Sequence, residues 1–138
     1  MSRKRDPLKI CAEYERSAQL VSDLTKKIGA ALQACPITGL AHESDFPGPD
    51  TQKLWDGDKV KHHLWQAYHE TTDADCYHWE RRLNLGEQEE YLREADCEHC
   101  LAAWRLIEDR KAARKAFGAA KRSVRAIGRV ALAAGASA

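Results

Sequence analysis

The residues with the clearest chemical potential are Cys97-Glu98-His99-Cys100, which open a long helical pattern. A C-x-x-C pair at a helix start is a half-site for zinc. Two thiolates one turn apart grip one ion, and the helix N-terminus favours their negative charge. Three further cysteines, Cys11, Cys35 and Cys76, make the total odd. His99 is set aside as a ligand to the same ion, because the chain must turn between consecutive donors. Haem attachment would need His after the second cysteine, and position 101 is Leu. A thioredoxin-like redox pair would need a βαβ setting, which the sequence does not offer.

The elements that must position these thiols are helices. A high charged fraction, few aromatics and abundant Ala, Glu, Lys and Arg indicate an all-α chain of 138 residues. From Leu8 to Ala34, Tyr14, Val21, Ile28 and Cys35 repeat every seven residues. Ile10, Ser17, Leu24 and Ala31 form the second line of the same seam. Pro36 ends that helix. In the terminal helix, Leu106, Ala113, Phe117, Ala120, Val124, Ile127 and Ala131 make a narrow apolar stripe. Pairing the two seams antiparallel sets Cys35 beside Cys100, Ile28 near Ile107, Val21 near Arg114 with Ala113 and Phe117 flanking, and Tyr14 near Lys121. Three cysteines, Cys35, Cys97 and Cys100, thereby converge at one end of a hairpin, by a route independent of the C-x-x-C motif.

A structural zinc needs a fourth donor. Cys76 is the first choice, giving a four-cysteine site. His78 lies beside it in sequence, and His42 is the other alternative. Cys35-Pro36-Ile37-Thr38-Gly39 has the form of a zinc-knuckle turn with Thr38 in place of the second cysteine, a gap that His42 could fill. Cys11 falls far from the cluster and reads as a seam residue. The His62/Gln66/His69 face reads as a polar helix surface, and Trp55, Trp65, Trp79 and Trp104 as core and loop anchors.

The expected layout is a single domain. Residues 1–7 form a frayed start, 8–34 the first hairpin helix, 35–96 a long loop with short helices, 97–132 the second hairpin helix, and 133–138 a tail. Within the connector, Asp58 caps a helix over 59–71, and Asp73 or Asp75 caps one over 76–85 that Gly86 terminates. Residues 87–95 form a short acidic helix around Tyr91 and Leu92. No strand is expected.

Charge is segregated beneath a net +1. Residues 110–138 carry Arg110, Lys111, Arg114, Lys115, Lys121, Arg122, Arg125 and Arg129 with no acid, while residues 70–98 carry ten acids against three arginines. Such a division marks either a polyanion-binding end or two ends that neutralise each other, within one molecule or between copies. No signal peptide and no apolar run long enough for a membrane are visible, so a cytoplasmic location is expected. There, clustered Cys and His are metal ligands rather than disulfides.

One catalytic pattern competes. His78-Trp79-Glu80 followed by Cys97-x-x-Cys100 has the order of the zinc-deaminase signature, in which His and two Cys hold zinc and Glu moves protons for an activated water. Here Asp96 replaces the motif's proline, the interval is short, and the sheet that such chemistry needs has no counterpart in the sequence.

Cys97-Glu98-His99-Cys100-Leu101-Ala102-Ala103-Trp104, continuing through Glu108-Asp109-Arg110-Lys111-Ala112-Ala113-Arg114 to Ala126-Ile127-Gly128-Arg129, resembles small uncharacterised proteins of tailed phages and prophages. The resemblance covers about a third of the chain. It implies an accessory phage protein with a zinc site, active in the host cytoplasm, and brings no known activity with it.

The expectation is therefore a non-enzymatic, zinc-stapled helical binding module, with a host or phage protein as its partner; homodimerisation would also cover a narrow seam. The alternatives are sequence-independent nucleic-acid binding through Arg110, Arg114, Lys121, Arg125 and Arg129, and a deaminase-like hydrolase.

Overall fold

A computed structural model describes residues 6–37, 55–56, 59–60, 62–73 and 79–135. The order of elements is α1 (Pro7–Gln33), β1 (Trp55–Asp56), β2 (Lys59–Val60), α2 (His63–His69), β3 (Thr71–Asp73), β4 (Glu80–Arg82), α3 (Leu85–Glu94) and α4 (Glu98–Ala133). The chain divides into two compact units, one of residues 1–26 with 107–138 and the other of residues 27–106.

In the first unit α1 and α4 pack antiparallel. Asp6 opens α1 by accepting a hydrogen bond from the Leu8 amide at 3.0 Å, and Pro7 occupies the first helical position, where its missing N–H costs nothing. Tyr14 meets Phe117 edge to face with ring centroids 5.2 Å apart. Lys121 Nζ lies 4.1 Å from the centre of the same Phe117 ring. Further along, Arg110 donates to Thr25 Oγ1 at 3.3 Å. These contacts match the expected register, Tyr14 near Lys121, to within one helical turn. Ile10, Leu24 and Ala113 are buried, and Tyr14, Ser17, Val21, Phe117, Ala120, Val124 and Ile127 are half-buried.

Two seam assignments change. Cys11 is exposed rather than a seam residue, because it follows Ile10 by one position and turns about 100° off the seam. Ala131 is exposed too, and its neighbours Val130 and Leu132 are each 69% exposed. With Tyr14 opposite Phe117, the first residue of α1 reaches only to the level of about Val124, so the last turns of α4 extend past it.

In the second unit the short elements differ from those expected. Lys59 and Val60 belong to a strand, not to a helix starting after Asp58. They pair antiparallel with Trp55 and Asp56, with Asp56 opposite Lys59. Gly57-Asp58 intervenes, a dipeptide suited to hairpin turns. α2 therefore begins only at His63, with the His62 ring capping it by accepting from the Trp65 amide at 3.0 Å. β3 and β4 pair antiparallel, Thr71 opposite Arg82 and Asp73 opposite Glu80, where a helix over 76–85 was expected. Trp79, Arg81 and Leu83 alternate by two, and Thr71-Thr72 is β-branched; both favour strand over helix.

α3 starts earlier than its acidic run. Asn84 accepts from the Glu87 amide at 2.9 Å, and Glu87 accepts from the Asn84 amide at 3.0 Å, a complete capping box. Gly86, expected to end a helix, is thus the second residue of one. Arg81 reinforces the cap with two hydrogen bonds to the Glu87 carboxylate, at 2.6 and 3.2 Å. That pairing, with the Asn84 amide, holds the Glu87 carboxyl below its ordinary pKa. Asp96 closes the element with φ 53°, a left-handed residue in the place usually given to Gly or Asn. The chain turns there and delivers Cys97 to the start of α4. A proline at 96, as the deaminase motif has, could not adopt that φ.

Candidate metal centre

Each donor sits at a helix end. Cys35 follows the last turn of α1, where its amide bonds to the Leu32 carbonyl at 3.2 Å and Pro36 stops the helix. Cys97 immediately precedes α4, and Cys100 lies in its first turn. His63 is the first residue of α2.

The four donor atoms of Cys35, His63, Cys97 and Cys100 lie within 4.8 Å of one another. Cys97 Sγ is 3.8 Å from Cys35 Sγ, and Cys35 Sγ is 3.4 Å from His63 Nδ1. Tetrahedral zinc, with Zn–S of about 2.3 Å and Zn–N of about 2.05 Å, sets S···S edges near 3.8 Å and S···N edges near 3.5 Å. The two separations thus fit edges of a tetrahedron around one ion. The three cysteines are buried, with Cys100 at 0% exposure, and His63 is half-buried.

The electrostatics ask for a cation. Burial pushes the Cys100 thiol well above its ordinary pKa; a hydrogen bond from the Leu64 amide opposes this, and the adjoining Cys35 and Cys97 thiols add to it. Three clustered thiolates without a counter-charge would be expensive, whereas a divalent ion compensates them directly. Burial lowers the pKa of His63, favouring the neutral imidazole that a metal requires. His62 is lowered by burial and then by His63, but its Nδ1 is committed to the α2 cap.

The surrounding core fixes these elements. Leu64, Ala67, Leu92, Ala103 and Trp104 are buried around the cluster's helices. Trp104 Nε1 donates to Gln88 Oε1 at 3.0 Å, tying α4 to α3, and Tyr91 OH donates to Gln66 Oε1 at 3.1 Å, tying α3 to α2.

Of the donors expected from sequence, Cys35, Cys97 and Cys100 come together. Cys76, His42 and His78 lie outside the described residues, as does Thr38 of the knuckle-like turn. His63 was not expected. The signal for it was its position on the same helical face as Ala67, four residues on, while the expected polar face was that of His62 and His69. Glu80, the proton carrier of the deaminase pattern, is exposed on β4.

The residues expected to contact nucleic acid all lie on α4. Arg110 is half-buried beside Thr25, while Arg114, Lys121, Arg125 and Arg129 are exposed. Among the described residues no helix is long and apolar enough to cross a membrane. The chain matches no protein-family model, no curated protein and no solved structure.

Proposed function

We propose that this chain is a non-enzymatic binding module whose second unit is locked by one structural zinc ion held by Cys35, His63, Cys97 and Cys100. The observation that carries this reading is the gathering of three buried thiols and one imidazole nitrogen within 4.8 Å, from the ends of three helices. The donor chemistry supports zinc, since soft thiolates with one imidazole in a tetrahedral set suit it. A set of four protein donors is closed. It leaves no coordination position for a reacting water, which supports a structural role over a deaminase-like one.

Such an ion adds its binding energy to folding. The rigid product has long helical surfaces to offer to a macromolecule. The partner proposed for them is a host or phage macromolecule, met in a compartment where thiols stay reduced. Elemental analysis after purification without added metal or chelator tests the reading. One equivalent of zinc per chain is expected. A metal-free, folded protein, or one carrying iron, overturns it.

A further inference from the structure

α4 carries three distinct faces between residues 110 and 129. At about 100° per residue, the seam of Ala113, Phe117, Ala120, Val124 and Ile127 spans an arc of about 80°. This arc is occupied by α1, as the Tyr14–Phe117 contact and the burial of Ala113 demonstrate. A second arc holds only small side chains, Ala112, Ala116, Ala119, Ser123 and Ala126. All eight cations of the segment fall in the remaining arc, about 140° wide and about 28 Å long at 1.5 Å per residue. Seven of the eight are exposed. Of these eight, only Lys111 forms an ion pair with another described residue, Glu108 at 2.7 Å.

We infer that this arc is a sequence-independent binding surface for the phosphate backbone of double-stranded nucleic acid. The inference rests on reading the chain as a binding module and names the module's partner. A duplex offers one negative charge per about 1.7 Å of axis, so a straight row of cations can be neutralised along its whole length. The arc has no aromatic residue on which single-stranded bases would stack. A membrane-surface helix needs a free apolar face beside its basic one, and as far as about Val124 that face is covered by α1.

Anisotropy titration of the 138-residue, zinc-loaded chain against a 20-base-pair duplex and a single strand of the same length tests this. With about five phosphates contacted, duplex affinity should fall roughly 500-fold between 50 and 200 mM salt. The triple reversal Arg114→Glu, Arg125→Glu, Arg129→Glu should retain its helical signal and its metal, lose about 100-fold or more in affinity at 50 mM, and show a slope nearer two phosphates. The charge-matched control Lys9→Glu, Arg16→Glu, Lys26→Glu, on exposed positions of α1, should lose far less. No duplex binding by the parent at 50 mM salt, tighter binding to the single strand, or equal losses in the two triple variants would overturn the inference. Metal content is read on the same samples, so failure here is separable from failure of the zinc site.

Discussion

Replacing His63 by alanine removes the one nitrogen donor and leaves Cys35, Cys97 and Cys100 in place. Loss of a residue that merely orients a ligand weakens metal binding by about 10–100-fold, so loss of the ligand itself should cost about 100-fold or more. With free zinc well above both dissociation constants, that ratio becomes a stability loss of about 2.7 kcal/mol. For a chain of this length the corresponding drop in melting temperature is on the order of 10 °C. His62→Ala supplies the internal control. Its ring accepts from the Trp65 amide and caps α2, so its loss should cost about 0.5–2 kcal/mol and leave zinc affinity unchanged. Competition against a chromophoric chelator measures affinity, and melts with and without chelator measure the linked stability. If His63→Ala competes for zinc as well as the parent does, the fourth donor lies elsewhere, Cys76, His42 and His78 being the sequence candidates, and the assignment of His63 is refuted.

Cys97→Ser should abolish one-equivalent zinc binding and lower thermal stability, while Cys11→Ser, at an exposed position of α1, should change neither; equal losses in the two melts would contradict the ligand set. Phe117 is half-buried against Tyr14, so Phe117→Ala should cost about 2–3 kcal/mol in denaturant titration, below the 3–5 typical of a fully enclosed ring. Asn84→Ala breaks the α3 capping box and should cost about 0.5–2 kcal/mol, read from the urea midpoint. The depressed Glu87 pKa stabilises the fold above its unfolded value and loses that contribution as pH falls through the lowered folded value; Glu87→Gln should flatten the acid limb of a stability–pH profile.

The hairpin was legible because its seam keeps one period throughout: Ile10, Tyr14, Ser17, Val21, Leu24, Ile28, Ala31 and Cys35 alternate steps of four and three. The same arithmetic, carried through an antiparallel pairing, brings Cys35 to Cys97 and Cys100, so three of the four donors follow from periodicity alone. The connector obeys no such long-range rule. Its elements are two to ten residues long, and each is decided by local competition. Val60 fits an apolar helix face with Leu64 and Ala67, yet the strand pairing with Trp55 wins. Gly86 reads as a terminator, yet Asn84 and Glu87 cap the helix that contains it. Because the start of α2 depends on the first of these contests, so does the placement of His63, and the fourth donor was hidden by a boundary of a few residues.

The composition of the second unit's core supports a metal on energetic grounds as well as geometric ones. Its largest fully buried side chains are Leu64, Leu92, Cys35 and Cys100, so two of these four are thiols. As small hydrophobes, cysteines bury less apolar area than Leu or Ile in the same places would, and a core of this size commonly needs a staple. An imidazole nitrogen also lies 3.4 Å from the Cys35 sulfur, and the Leu64 amide donates to the sulfur of Cys100. Both follow if the sulfurs are thiolates on an ion, since an amide donor stabilises the negative sulfur and the imidazole completes the tetrahedron. On this argument a Cys35, Cys97, Cys100 replacement by Val, Ile or Leu would retain apolar burial yet leave His63 and the Leu64 amide without partners, and zinc could no longer offset the ordering of three helix ends. Such a variant should melt below the zinc-loaded parent and be indifferent to chelator. If it melts at or above the parent, the cysteines serve as packing and the metal reading fails.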